Sequence, residues 1–412
     1  MPTSPGKQVR LSRIIDPRDE RAVVIAADHG YMLGPIRGVI DLASTIESVS
    51  AGGADGILVS PGQASRYGYL FRGREAPAML IRADWTNAFR SKTYTLPSRH
   101  VQCRYMTSPR QAMALGADAI VVYFFVGYAD DREEAEHVDK IGRFARECDR
   151  IGLPFIVEPI PLGERITGAN YNELVKISIR MSAEIGADAI KAPYTNDVDF
   201  YSEVVRAAGI PILILGGAKS KTLRDALEVV EEALQAGARG TVFGRNVIQA
   251  PDPRSMVESI CSVVHGGRSA REVTRPAAGG TIRIRVSDPG SCTGCHICEM
   301  ACSSAHGAGY GLTAARLIVR DVDDGYRPAV CTQCLRCVEA CPEDALDVDE
   351  KLGCVVVDLE RCTGCGECVE ACPVGVIRPD RAGNPMICDL CGGLPECVEW
   401  CPRDVLEIEE EG

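Results

Sequence analysis

The chain has 412 residues, 46% hydrophobic and 25% charged, too long for one ordinary domain and ample for a large core. Its formal net charge of −12 argues against a nucleic-acid partner, and no run of roughly 18 apolar residues is present to span a membrane. The charge is uneven, with 11 Lys/Arg against 24 Asp/Glu in residues 281–412 and 34 against 33 in residues 1–280.

The N-terminal stretch Met1 to Arg13 has no apolar segment of the kind an export signal needs. Beyond it, eight short apolar runs recur: Val23–Ala27, Gly56–Val59, Met79–Arg82, Ala119–Phe124, Pro154–Glu158, Ala189–Ala192, Ile212–Leu215 and Thr241–Gly244. Each is continuous rather than alternating, as in parallel strands covered on both faces. Amphipathic helical segments separate them, for example Lys221–Gln235. Gly53-Ala54-Asp55, Gly116-Ala117-Asp118, Gly186-Ala187-Asp188 and Gly237-Ala238-Arg239 repeat where a left-handed glycine ends a helix before the next strand. Eight βα units predict an α/β fold, a (β/α)8 TIM barrel over residues 1–268, with a doubly wound open sheet as the alternative.

In such a barrel the chemistry sits at the C-terminal ends of the strands. Those ends carry Asp28 and His29, then Asp84, Glu158 and Lys191, then Gly216-Gly217, and finally Gly244-Arg245. Lys191 lies in the apolar run Ala189-Ile190-Lys191-Ala192, where desolvation favours the neutral, nucleophilic amine that Schiff-base catalysis requires. The alternative is a buried lysine paired with Asp28 or Glu158 for structure alone. Gly216, Gly217 and Gly244 let backbone N–H groups approach a phosphate, and Arg245 adds a charge-assisted bond; ordinary strand-to-helix turns are the competing explanation. His29 is expected to point away from Asp28 if the strand persists there. Asp84 reads equally as a pocket residue or a helix cap. Cys103, Cys148, Cys261 and Cys354 lack ligand spacing and read as inert thiols.

The ordered set Ala27-Asp28-His29-Gly30, Gly186-Ala187-Asp188-Ala189-Ile190-Lys191, Leu215-Gly216-Gly217-Ala218-Lys219 and Gly244-Arg245-Asn246-Val247-Ile248-Gln249 resembles the archaeal-type class I fructose-bisphosphate aldolases. Relatives of that family include the aminodideoxyheptulosonate synthases and the autoinducer-2 phosphate thiolase. The resemblance covers roughly residues 10–265. It implies Lys191 as the Schiff-base lysine, Asp28 as a catalytic or substrate-binding carboxylate, the glycines as the phosphate cradle, and a homo-oligomer. One departure stands out: the family's strand-five tyrosine, in a Tyr-Pro-Arg-Gly run, is replaced within Ile160-Pro161-Leu162-Gly163. Glu158, two residues earlier and on the same side of the strand, is placed to take over the acid/base role, as in the related tagatose-bisphosphate aldolases, or only to neutralise Lys191.

Residues 269–280 have linker composition, and Ile282, Ile284 and Val286 then alternate as in a short strand. The remainder, 281–412, holds sixteen of the 20 cysteines in four runs. They are Cys292/Cys295/Cys298/Cys302, Cys331/Cys334/Cys337/Cys341, Cys362/Cys365/Cys368/Cys372 and Cys388/Cys391/Cys397/Cys401. The first three share the spacing C-x2-C-x2-C-x3-C. Two intervening residues make a tight turn that aims three thiolates at one cube, while the trailing cysteine faces the other cluster of a pair. Disulfides need an oxidising compartment, and zinc sites use CxxC pairs rather than triplets with a trailing cysteine. Sixteen ligands therefore predict four [4Fe-4S] clusters in a ferredoxin-like domain, in a reducing cytoplasm. Runs two and three, only 20 residues apart, should form the compact pair, leaving runs one and four to pair around them. The tail resembles the four-cluster electron-transfer subunits of the dimethyl sulfoxide reductase and formate dehydrogenase type, and the ferredoxin partners of tungsten aldehyde oxidoreductases.

Together the two parts predict a Schiff-base lyase acting on a phosphorylated keto or aldehyde substrate, fused to a relay for a redox partner such as an aldehyde oxidoreductase. The alternative is an electron-transfer subunit whose barrel is a non-catalytic docking module.

Overall fold

The computed structural model describes residues 4–90, 94–217, 220, 222–274, 281–307, 311–349 and 352–411. It divides into two compact units, Met1–Thr274 and Arg275–Gly412.

The first unit is a closed barrel of eight parallel strands: β1 (Ala22–Ala26), β2 (Gly56–Val59), β3 (Ala78–Arg82), β4 (Ala119–Val126), β5 (Phe155–Pro161), β6 (Ala189–Ala192), β7 (Ile212–Leu215) and β8 (Gly240–Phe243). Each strand pairs with the next in sequence, and β8 returns to β1. Alternate residues point inward. Val24, Leu80, Val121, Ile156, Leu213 and Val242 belong to the inner core, which Ile14 joins from the N-terminal segment. The intervening residues, such as Val23, Ile81, Val122 and Val157, belong to the larger core shared with the helices. Two positions above Leu80, Val121, Ile156 and Ala189, the same period brings Arg82, Tyr123, Glu158 and Lys191 inward at the C-terminal mouth. Closure depends on Gly240 at the start of β8. Its φ is +135°, and a Cβ there would lie 1.9 Å from the carbonyl oxygen of Ala22 in β1.

The N-terminal helix Pro5–Leu11 is fixed to the barrel by Lys7, 2% exposed, whose Nζ lies 2.5 Å from Asp149 Oδ1 and 2.7 Å from Asp188 Oδ2. After β3 the chain leaves the barrel as a hairpin, Asp84–Thr86 against Cys103–Tyr105, before entering β4. Of the stretch 269–280, Ser269 caps a short helix, Ala270–Val273, through a capping box, and Ala270 is buried in the barrel's outer core. Residues 275–280 lie outside the described residues.

In the second unit β9 (Thr281–Val286) pairs antiparallel with β10 (Leu406–Glu411). Three smaller hairpins follow the same antiparallel pattern. Among its described residues there are two small cores. One unites Cys298, Cys302 and Cys397 with Ile282, Ile284 and Leu406, and the other unites Cys337 and Cys368 with Leu346, Val355 and Ile377. Cysteine runs one and four thus share one core, and runs two and three the other.

Candidate active site and cluster ligands

At the barrel mouth Lys191 is 6% exposed, and its Nζ lies 3.0 Å from Glu158 Oε1. The other Glu158 oxygen accepts a short hydrogen bond from Nη2 of Arg82. Arg82 is fully buried and donates from Nε to Asp28 Oδ2 at 2.8 Å, with its guanidinium 3.9 Å from the centre of the Tyr123 ring. Two basic side chains thus face two carboxyl groups in a largely buried site, the condition under which buried charge is tolerated. Burial alone would raise the Asp28 carboxyl, but Arg82, Lys191 and His29 together hold it below the usual carboxylate range. Burial works against the Arg82 cation, yet Tyr123, Glu158 and Asp28 hold its proton on more firmly than usual. Sequence reasoning gave Arg82 no role. The available signal was its parity, an arginine ending an apolar strand on the inward-facing register.

Asp84 is a fifth ionisable group here. It heads the hairpin strand rather than capping a helix, and it is fully buried. Its Oδ2 accepts from the Tyr123 amide at 2.7 Å and from Cys103 Sγ at 3.4 Å, while Oδ1 sits 3.7 Å from Arg82 Nη1. Burial pushes its carboxyl up to about 7, against the pull of Arg82. It is the acid that the two cations leave unbalanced.

The glycine sites meet across β7 and β8. Arg245 Nη2 donates to the Gly217 carbonyl at 2.9 Å, and Asn246 Nδ2 to that of Gly216 at 3.0 Å. Gly217 has φ +55°, and nothing lies within 4 Å of where its Cβ would be. Ala218 and Lys219 of the same motif lie outside the described residues. Gly244 precedes the short helix Arg245–Ile248, and a Cβ on it would come 2.3 Å from His29 Cε1. His29 therefore lies against the site instead of pointing away from it, with Nδ1 3.8 Å from Asp28 Oδ1. The expected alternation does not apply, because β1 ends at Ala26 and His29 already has helical backbone angles. Burial, with Lys191 and Arg245 nearby, lowers its pKa below the usual imidazole value.

In the second unit the cysteines group across runs. One cavity is lined by Cys292, Cys295, Cys298 and Cys401, a second by Cys331, Cys334, Cys337 and Cys372, and a third by Cys362, Cys365, Cys368 and Cys341. Cys388, Cys391 and Cys397 in turn lie near Cys302. The turns that aim these thiols repeat: Gly294, Gln333, Gly364 and Leu390, each just before a second cysteine, all have φ between 52° and 69°. Backbone amides converge on the trailing sulfurs. Arg316 N–H lies 3.3 Å from Cys302 Sγ, Ala345 N–H 3.3 Å from Cys341 Sγ, and Val405 N–H 3.4 Å from Cys401 Sγ. Soft thiolates in quartets, with N–H donors to sulfur, fit [4Fe-4S] ligation. The group His306, Asp389 and Cys391 is also close enough to suit a metal ion, but Cys391 belongs to a quartet. The four cysteines outside the runs include Cys103, here bonded to Asp84, and Cys354, whose Sγ lies 3.5 Å from the Asp389 carbonyl.

Comparison with known proteins gives matches over both parts. The model of the DeoC/LacD family aldolases matches residues 22–250. Two 4Fe-4S dicluster domain models match residues 330–376 and 361–406, and a 4Fe-4S binding domain model matches 289–311. An uncharacterized aldolase of Saccharolobus solfataricus is 32% identical over 261 residues, 63% of this chain and 94% of that protein. A 2-amino-3,7-dideoxy-D-threo-hept-6-ulosonate synthase of Halobacterium salinarum is 31% identical over 64% of this chain and 93% of its own length. Among solved structures, an archaeal fructose 1,6-bisphosphate aldolase superposes with a TM-score of 0.55 at 28% identity, covering 63% of this chain and 99% of that one. A further structure, of a Schiff-base-forming fructose-1,6-bisphosphate aldolase, also gives 0.55 at 28% identity, covering 62% and 98%. Among the described residues no helix is long and apolar enough to cross a membrane.

Proposed function

The chain belongs to the DeoC/LacD family of aldolases and is an aldolase-type lyase fused to 4Fe-4S domains; on that premise we propose that Lys191 forms a Schiff base with a phosphorylated keto substrate. The observation that carries the proposal is the 3.0 Å contact between Lys191 Nζ and Glu158 Oε1. Glu158 takes a proton from the ammonium, and the resulting amine attacks the carbonyl to give a carbinolamine. Glu158 returns the proton to the carbinolamine hydroxyl, which leaves as water. The iminium is then the electron sink into which the carbon–carbon bond breaks, releasing an aldehyde. Arg82 holds Glu158 in place through its hydrogen bond, and Asp28, neighbouring both cations, accepts a proton from a substrate hydroxyl. Gly216, Gly217, Gly244 and Arg245 hold the phosphate.

The sixteen run cysteines hold four [4Fe-4S] clusters, paired as runs one with four and two with three. When bound, the clusters supply one-electron transfer. A released aldehyde is a two-electron donor suited to a separate aldehyde-oxidising partner in the cytoplasm, for which these cysteine runs would hold the relay.

Borohydride trapping of the full-length protein with dihydroxyacetone phosphate tests the lyase reading. A covalent adduct should appear on Lys191 and be lost in Lys191→Ala. Labelling that persists without Lys191 would rule out its Schiff base, and no adduct with any sugar phosphate would favour a barrel kept only for docking.

A further inference from the structure

We propose that the substrate carries a hydrocarbon group on the side of the reacting carbonyl away from its phosphate. The inference rests on the Schiff-base reading above and adds the substrate class. Lys191 stands on β6, between the glycine sites of β7 and β8 on one hand and the ends of β4 and β5 on the other. A molecule held at Lys191 with its phosphate over β7 and β8 extends its other end across β4 and β5. There the next inward positions above Tyr123 and Glu158 are Phe125 and Ile160, which are partners in register. Phe89, 41% exposed, has its ring 5.4 Å from that of Tyr123 and 6.5 Å from that of Phe125. Trp85 and Leu162, half-buried, pack on the same cluster. Phe125 is fully buried beneath this side, and the hydrocarbon left facing the mouth is that of Ile160, Leu162, Trp85 and Phe89, where the other half is glycine and arginine.

Among the described residues, Arg82 and Arg90, the cations near this wall, already have partners. Arg82 is buried between Asp28 and Glu158. Arg90 lies over the rings of Trp85 and Tyr94, at 5.3 and 5.4 Å, and donates to the Met32 carbonyl at 3.4 Å. A second phosphate would lose its water here with no cation among the described residues left to replace it, whereas an alkyl or aryl group gains by burial.

The test compares two probes on the full-length protein, each trapped by borohydride and read as the mass of the Lys191 peptide. One is a 1-phosphorylated 2-ketone with a benzyl tail, the other fructose 1,6-bisphosphate. The tailed ketone is expected to half-saturate labelling at a concentration about 10-fold lower or better. Ile160→Arg should shrink or reverse that preference. Phe89→Ser, on the exposed loop, should weaken labelling by the tailed ketone more than labelling by the bisphosphate. Equal or tighter labelling by the bisphosphate overturns the inference while leaving the Schiff base intact. No label on Lys191 from either probe overturns both.

Discussion

The two oxygens of Glu158 face two different cations, Arg82 and Lys191. Glu158→Gln preserves the size of the side chain but cannot carry a proton. If Glu158 serves only to neutralise Lys191, the amide should leave Schiff-base formation intact; if it shuttles protons, the borohydride labelling rate should fall roughly 100-fold and lose its pH dependence. Asp84 makes a separate prediction. Its folded pKa, up to about 7 through burial, exceeds that of an unfolded aspartate, so the native state binds the extra proton and its stabilising effect is complete below about pH 4. Stability should then fall as pH rises from about 4 to 7, by on the order of 3 kcal/mol, and stay level above. Asp84→Asn, still able to accept from the Tyr123 amide, should flatten that slope in urea unfolding measured at pH 5 and pH 8. An unchanged slope would mean that Asp84 is ionised throughout. Lys191, Asp28 and Glu158 were legible because each ends or interrupts an apolar strand. His29 was misplaced because alternation was extended beyond the last strand residue, and Arg82 was overlooked because a fully buried arginine makes sense only once its two carboxylates are seen together.

At the scale of elements, the barrel was readable because buried parallel strands leave continuous apolar runs and because one turn recurs. Gly53, Gly116, Gly186 and Gly237 all have φ between 92° and 108° at the ends of helices. The hairpin after β3 was not readable. Its strands are three residues each, and their pairing spans residues 84–105, too far apart for local turn chemistry to reveal. It matters because it contributes Asp84, Trp85 and the loop bearing Phe89. Gly240 shows how closely packed an element junction can be. An alanine there would need both a left-handed φ and a Cβ inside the Ala22 carbonyl, so β8 could not close on β1 without moving. Gly240→Ala is expected to cost about 4 kcal/mol or more, seen as a large drop in Tm or failure to accumulate folded protein. A substitution at Gly68, where nothing lies within 4 Å of the added carbon and φ is negative, should change Tm little and serves as the control.

For the molecule as a whole, the question is which four thiols share a cube, and the spacing of the runs already sends each trailing cysteine to the other cluster of a pair. The geometry agrees with that reading: Cys302 lies with the first three cysteines of run four and Cys401 with those of run one, because the helix that carries each third cysteine turns the trailing thiol away from its own loop. The same exchange joins Cys341 to run three and Cys372 to run two. Pairs of substitutions separate the two schemes. With crossed ligation, Cys302→Ala and Cys391→Ala strike the same cube, and the double variant should lose about four irons, no more than either single variant. Cys302→Ala combined with Cys295→Ala strikes two cubes and should lose about eight. If each run holds its own cluster, these outcomes exchange. Iron and sulfide analysis of anaerobically purified full-length protein, with low-temperature electron paramagnetic resonance of the reduced state to count the remaining spins, distinguishes them without any assay of turnover. Labelling of Lys191 measured on the same samples asks whether losing a cluster reaches the barrel. Carbonyl chemistry that uses no electrons predicts an unchanged rate, so slowing in the cluster variants would refute the separation of the lyase from the relay.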